Sequence, residues 1–102
     1  GGRGHLSCVG NFAPAPCAEL YDAFAAGDHE RARQLHYDLH ALVDAAFAEV
    51  NPAPAKWVME RLGLIGSGLA RAPLSALSDA TKARIEGLLA DSPHIDLAPA
   101  TA

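Results

Sequence analysis

A short stretch near the amino terminus, residues 4–9, constrains the fold of this chain more than any other. Its sequence is GHLSCV, and a Gly-Asn break follows directly. Because side chains alternate along a strand, Gly4, Leu6 and Cys8 would share one face and the remaining three residues the other. Apolar residues fall on both faces, which is typical of a strand covered on both sides, as in a parallel sheet or barrel. The pattern therefore predicts one buried strand.

The rest of the sequence offers this strand no partner. The backbone groups of a buried strand need neighbouring strands for their hydrogen bonds, and the remaining segments have a helical period or a loop composition. Either the neighbouring strands come from another polypeptide, or the chain is the end of a longer protein.

Composition and charge exclude several classes of function. The 102 residues are 50% hydrophobic and 20% charged, which is typical of a soluble globular domain. The net charge is −4 and basic residues do not cluster, so we expect no nucleic-acid partner. Apolar runs are too short to span a membrane, so we expect no membrane partner. Cys8 and Cys17 are too few for a disulfide framework and indicate free thiols in a cytosolic protein.

Four helices account for most of the remaining sequence. Prolines or capping side chains mark their starts, and glycines or loss of the apolar stripe mark their ends. The predicted helices run from Pro14 to about Ala26, from a cap at Asp28 to about Glu49, from the proline-rich break at 51–54 to Gly63, and from a cap at Ser78 to about Ala90. The segment 64–77 shows no regular period, and the residues after Ala90 indicate a frayed tail.

Three histidines, His29, His36 and His40, fall within one band of the second predicted helix. Residues four apart share a helix face, so His36 and His40 could hold one metal ion, with Asp44 one turn further as a third ligand. His29 is two turns away and too distant to join them. Two imidazoles without a committed third ligand leave a site open and weak, so the sequence predicts no metal of functional consequence and no cofactor.

Lys56 and Lys82 are the only lysines in the sequence. A lysine that forms a Schiff base needs a desolvated pocket that lowers the pKa of its amine. Lys56 follows a helix-starting proline and has Glu60 one turn further on, which indicates a solvated ion pair. The residues of this chain alone therefore predict no complete active site.

Three stretches carry a resemblance to a known family. They are GGRGHLSCVGN at 1–11, NPAPAKW at 51–57 and RAPLSALS at 71–78. The first is similar to a Gly-Gly-x-Gly-hydrophobic-Ile-Ser-Val motif, the second to Asn-Pro-x-Pro-x-Lys, and the third to Arg-Leu-Pro-Leu-x-Pro-Leu-Ser. On these motifs and their spacing, the chain resembles the carboxy-terminal part of the dihydrodipicolinate synthase family, within the N-acetylneuraminate lyase superfamily.

The resemblance implies an α/β parent protein, a (β/α)8 TIM barrel followed by a carboxy-terminal helical extension. This segment would be mostly α, with one strand at about residues 4–9 and four helices. Residues 1–27 would form the last β-α unit of the barrel, and residues 28–102 the helical extension with its frayed tail. Active sites of such barrels lie at the carboxyl ends of the strands. Leu6, at the position of a family isoleucine, and the neighbouring Gly4 would therefore form a wall of the substrate pocket, with no catalytic residue in this segment.

The implied activity is that of a Schiff-base, pyruvate-dependent lyase that condenses pyruvate with aspartate semialdehyde in cytoplasmic lysine biosynthesis. Its catalytic lysine would lie upstream, so we expect the 102-residue segment alone to be inactive. The resemblance also implies a homo-oligomer, a tetramer in the family. Two alternatives stay open: a sialate or sugar-acid aldolase of the same superfamily, and, from another class, a free-standing helical binding module.

Overall fold

The computed structural model describes residues 1–97, in which one 3-10 turn is followed by four α-helices. The elements are the 3-10 turn Val9–Asn11, α1 (Pro14–Ala25), α2 (His29–Ala46), α3 (Ala53–Arg61) and α4 (Asp79–Ala90). The peptide bonds that precede Pro52 and Pro73 are cis. Each helix lies where the sequence predicted one, with ends that differ by at most a few residues.

The predicted capping side chains begin two of these helices. An oxygen of the Asp28 carboxylate accepts a hydrogen bond of 3.1 Å from the Arg31 N–H at the start of α2. The Ser78 hydroxyl accepts one of 3.2 Å from the Thr81 N–H at the start of α4. Each bond satisfies a backbone donor that the first helical turn leaves without a partner.

Glycine in the left-handed region ends α1 and α3, as the sequence predicted. Gly27 has φ 81°, and its N–H donates to the Phe24 carbonyl at 3.0 Å while the Asp28 N–H donates to the Ala23 carbonyl at 2.9 Å. This pair of bonds is a Schellman motif, whose left-handed position favours a residue without a Cβ. Gly63, at φ 72°, ends α3 with the same two bonds.

Helix α2 ends at Ala46, three residues before the predicted end at Glu49. Beyond the helix, one carboxylate oxygen of Glu49 accepts hydrogen bonds of 3.1 Å from both the N–H and the hydroxyl of Ser78. Bonding from the Thr81 hydroxyl and the Ser78 N–H lowers the pKa of the Glu49 carboxyl. The side chain therefore fastens the chain after α2 to the start of α4.

The core lies between α2 and the three helices that pack against it, α1, α3 and α4. Its largest fully buried side chains are Leu35 and Leu42 of α2, Val58 and Pro54 of α3, and Ile85 and Leu89 of α4. Between α3 and α4, the Arg61 guanidinium forms a two-pronged ion pair with Glu86, with nitrogen–oxygen distances of 2.6 and 3.0 Å. The helices are thus held together by one apolar core and by the Arg61–Glu86 ion pair at its edge.

The predicted strand over residues 4–9 is wrong. Residues 1–7 have no regular secondary structure, and the part of the chain that the structure describes is helical throughout, with no strand. The backbone instead closes on itself, because the Asn11 N–H donates to the Cys8 carbonyl at 3.2 Å and the Phe12 N–H to the Val9 carbonyl at 3.1 Å. A strand ladder needs a second strand, and local turn bonds satisfy these groups without one.

Part of the predicted frayed tail makes defined contacts. Ser92 is buried, and Ile95 and Leu97 pack against the core. The His94 imidazole lies 3.0 Å from the Asp38 carboxylate of α2, and the two side chains are only 17% and 18% exposed. The rest of that predicted tail, 98–102, lies outside the described residues.

Candidate functional site

The two residues predicted to form a pocket wall lie on an open edge of the molecule. The Leu6 side chain is fully exposed, and a Cβ built on Gly4 would meet no atom within 4 Å. Both therefore have free space around them in this chain. The structure does not enclose them in a pocket.

Local bonds hold the residues that follow this edge. The Gly10 N–H donates to the Ser7 hydroxyl at 3.0 Å, which closes a tight turn. The Cys8 thiol lies 3.3 Å from the side-chain oxygen of Asn51, the first residue of the second family-like stretch. The first two stretches of the resemblance are thus in contact, so the edge carrying Gly4 and Leu6 is anchored to the junction between α2 and α3.

A groove of about 670 Å³ runs between this amino-terminal segment and α1. Gly4, His5 and Ser7 line one side of the groove, and Cys17, Tyr21 and Phe24 of α1 line the other. Tyr21 and Phe24 are 61% and 63% exposed, which is unusual for large aromatic side chains near a core. The outer face of α1 is thus an apolar surface that nothing in the described chain covers.

An ion pair joins α1 to α2, and a histidine–carboxylate hydrogen bond joins the tail to α2. Arg31 of α2 contacts Glu19 of α1 at 2.6 Å, and hydrogen bonding between them lowers the pKa of Glu19 and raises that of Arg31. On the same helix, hydrogen bonds from His94 and Gln34 lower the pKa of Asp38. Neither the Arg31–Glu19 contact nor the His94–Asp38 contact was predicted from the sequence. Only the Gln34 and Asp38 spacing of four residues carried a signal, because the other partners are distant along the chain.

The histidines of α2 separate into a close pair and a single residue. Nε2 of His36 and Nε2 of His40 are 3.1 Å apart, whereas His29 stacks edge-on against Phe24 at 5.1 Å between ring centroids. Asp44 lines the same cavity as the pair. Within residues 1–97, no three His, Cys, Asp or Glu side chains are arranged to hold a metal ion.

Both lysines are engaged at the surface. The Lys56 ammonium donates to the carbonyl of Leu69, and the Glu60 carboxylate accepts a 2.8 Å bond from the Gly68 N–H. The predicted pairing of Lys56 with Glu60 is therefore wrong, because each side chain holds the 68–69 loop instead. Lys82 lies 3.4 Å from Asp79 in a surface ion pair. Neither amine lies in a desolvated pocket of the kind that Schiff-base chemistry requires.

Comparisons with known proteins identify the family. Residues 1–92 match the model of the dihydrodipicolinate synthetase family. A 4-hydroxy-tetrahydrodipicolinate synthase from Desulfotalea psychrophila is 41% identical over 86 residues, which cover 84% of this chain and 29% of that protein. The crystal structure of dihydrodipicolinate synthase from Thermotoga maritima superposes with a TM-score of 0.85 at 34% identity, over 93% of this chain and 32% of that one.

A further solved relative contains a bound small molecule. The chloride-inhibited dihydrodipicolinate synthase from Acinetobacter baumannii, in complex with pyruvate, superposes with a TM-score of 0.83 at 32% identity. That match covers 93% of this chain and 32% of the other.

The chain belongs to the dihydrodipicolinate synthetase family, which confirms the resemblance read from the three sequence stretches. It spans about a third of the length of the relatives it matches, 29% and 32% in the first two comparisons above. Over the described range 1–97, no helix is long and apolar enough to cross a membrane.

Proposed function

We propose that this chain is the carboxy-terminal segment of a pyruvate-dependent lyase, which condenses pyruvate with aspartate semialdehyde as a 4-hydroxy-tetrahydrodipicolinate synthase. The match of residues 1–92 to the dihydrodipicolinate synthetase family carries this proposal. The pyruvate complex of the Acinetobacter baumannii relative supports the choice of substrate. In this proposal residues 1–27 complete the barrel of the longer parent protein, and residues 28–102 form its helical extension.

In this proposal the reacting groups belong to the parent protein outside this segment. A lysine amine of the parent condenses with the ketone of pyruvate and releases water, and the resulting iminium makes the neighbouring methyl group acidic. Loss of a methyl proton gives an enamine, whose carbon attacks the aldehyde of the second substrate. We assign this segment the wall of the pyruvate pocket, through Leu6 and Gly4.

The exposed apolar edge supports the proposal that this segment packs against the rest of a longer parent protein, which carries the reacting groups. Leu6 is fully exposed, and the aromatic side chains of α1 beside the groove are more than half exposed. Large apolar surface of this kind is stabilised when other parts of a protein cover it. The remainder of the parent, about two thirds of the relatives' length, supplies enough chain to do so. We further propose that the parent acts in cytoplasmic lysine biosynthesis as a homo-oligomer.

A chimeric enzyme tests the proposal. Residues 1–92 of this chain replace the matching segment of the Thermotoga maritima relative, and the purified chimera is assayed with pyruvate and aspartate semialdehyde. We expect synthase activity, with the unaltered relative as the positive control and the relative truncated before the segment as the negative control.

Two outcomes would contradict the proposal. One is a chimera that keeps the melting temperature and oligomeric state of the relative but has no activity. That result would show that the segment does not belong to this kind of enzyme. A chimera in which borohydride traps pyruvate, yet which condenses it only with sugar-derived aldehydes, would favour the sugar-acid aldolase instead.

The variant Leu6→Ala tests the pocket wall in the same chimera. In the isolated chain Leu6 is exposed, so truncation should change the free energy of unfolding by less than about 0.5 kcal/mol. Our proposal encloses this side chain in the chimera, so we expect a loss of roughly 2–5 kcal/mol there, divided between stability and pyruvate binding. The pyruvate KM should rise and kcat fall moderately, because the enamine is held less well.

The pH–rate profile of this variant should not move, because leucine has no acid–base capacity. Leu6→Ile restores the residue that the family resemblance implies, and it should keep the kinetics of the unaltered chimera. Equal kinetics for Leu6→Ala and the unaltered chimera would show that Leu6 does not line the pyruvate pocket.

A further inference from the structure

Two exposed histidines of α2 lie closer together than their spacing along the helix requires. Nε2 of His36 and Nε2 of His40 are 3.1 Å apart, and the ring planes are inclined at 75° with centroids 4.6 Å apart. Side chains four residues apart share a helix face, but ring orientation decides whether their nitrogens converge. In this structure the ring orientations bring the two nitrogens within hydrogen-bond distance of each other.

This separation matches that of two imidazoles bound to one metal ion. With zinc–nitrogen bonds of about 2.0–2.1 Å, two ligating nitrogens lie about 2.9 Å apart at a right angle and about 3.4 Å apart at the tetrahedral angle. The observed 3.1 Å lies between these limits. An ion bound by both nitrogens would take the place of the hydrogen between the two rings.

The surroundings of the pair suit a cation with open coordination positions. Both rings line a cavity of about 460 Å³ together with His5, Cys17 and Asp44. Asp44 lies one helical turn beyond His40 and adds negative charge, in a chain of net charge −4. Within the described part of the chain no third ligand is in binding geometry, so water would fill the remaining positions.

We propose that His36 and His40 form a two-point chelate for one borderline divalent transition ion, such as Zn²⁺ or Ni²⁺. Imidazole nitrogen is a preferred ligand of these ions, whereas Mg²⁺ and Ca²⁺ prefer oxygen. With two protein ligands the site is weaker than a structural zinc site of four. Residue spacing put His36 and His40 on one helix face, but it does not fix the distance between the two nitrogens, and on spacing alone we expected no metal of functional consequence. The proposal is independent of the proposed lyase activity.

Titration of the 102-residue chain with Zn²⁺, followed by calorimetry, tests this site. We expect one ion per chain, comparable binding of Ni²⁺ and none of Mg²⁺. His36→Gln and His40→Gln should each weaken zinc binding about tenfold or more, because each removes one of two ligands. Glutamine is a good helix former, and both histidines are exposed, so these variants should keep α2 folded.

Two controls separate this site from other histidines. His29→Gln on the same helix and His5→Gln in the same cavity should each leave zinc binding unchanged. Zinc should also raise the melting temperature of the unaltered chain and not that of His36→Gln, because an ion that binds only the folded state stabilises it. The proposal is overturned if millimolar zinc does not bind, or if His29→Gln or His5→Gln abolishes binding as His36→Gln does.

Discussion

Mixing the isolated 102-residue chain with pyruvate and aspartate semialdehyde is expected to give no turnover. Schiff-base catalysis needs an amine that is neutral and held in a desolvated pocket. Here Lys56 is bound to the carbonyl of Leu69, and Lys82 is paired with Asp79 at the surface. Leu6, the proposed pocket wall, is open to solvent. Catalytic groups that act as a unit lose most of their effect when one is removed, and in the function proposed above the Schiff-base lysine does not belong to this segment.

The measurement is a coupled assay of condensation, combined with mass spectrometry after borohydride reduction in the presence of pyruvate. The isolated chain should show neither product nor a pyruvate adduct, while the unaltered Thermotoga maritima relative shows both under the same conditions. A stable adduct on Lys56, lost in Lys56→Arg, would contradict both the expected inactivity and the place we assign to this segment.

The helices could be predicted because their signals are local. The Asp28 and Ser78 caps bond to N–H groups three residues away, and the glycines that end α1 and α3 act within the last turn. Each of these interactions joins residues within four to six consecutive positions, so the local sequence is enough to predict it. The end of α2 was predicted three residues too late, at Glu49, and the structure shows Glu49 beyond the helix, bonded to Ser78, which is distant along the chain.

The strand could not be predicted in the same way. The alternation in residues 4–9 predicts which face of a sheet each side chain would occupy. It does not decide whether a strand forms, because a strand needs a second strand to supply its hydrogen bonds. Within the described residues no second strand is present, and Ser7 bonds to Gly10 in a local turn. The apolar alternation is present in the sequence, but over residues 1–97 no strand forms, and residues 7–10 make a local turn instead.

The candidate sites also contain some features that the local sequence predicts and others that it does not. The pairing of His36 with His40 on one face follows from a spacing of four, but their 3.1 Å separation depends on ring orientation and could not be predicted. The contact of His94 with Asp38 joins residues 56 positions apart and has no sequence signal. Family motifs supplied what local patterns could not, because they identify relatives that this chain matches over about a third of their length.

The second large effect is expected at Gly68, in the irregular loop that follows α3. A Cβ on Gly68 would lie 2.7 Å from the Lys56 carbonyl oxygen, 2.8 Å from a carboxylate oxygen of Glu60 and 2.9 Å from the Cα of Trp57. Two of these atoms belong to the helix backbone, which cannot move aside as a flexible side chain could. Gly68→Ala must therefore push the loop away from α3.

That displacement also breaks the bonds that hold the loop. The Gly68 N–H donates to Glu60 at 2.8 Å, and Lys56 donates to the carbonyl of Leu69 next to it. Steric overpacking costs about 1–3 kcal/mol, and loss of a hydrogen bond to a charged group about 1.5–3 kcal/mol. We expect Gly68→Ala to lower the free energy of unfolding by about 2–4 kcal/mol, since the two losses overlap. Denaturant unfolding followed by circular dichroism measures this change.

Gly66→Ala is the matched control, two residues away in the same loop. A Cβ on Gly66 would meet no atom within 4 Å, and its φ is not positive. The expected change is within about 0.5 kcal/mol, or a small stabilisation through the lower entropy of the unfolded chain. Glu60→Gln should cost less in the Gly68→Ala background than alone, because the loop bond is already broken. Equal stability of Gly68→Ala and Gly66→Ala would show that the loop does not lie against α3.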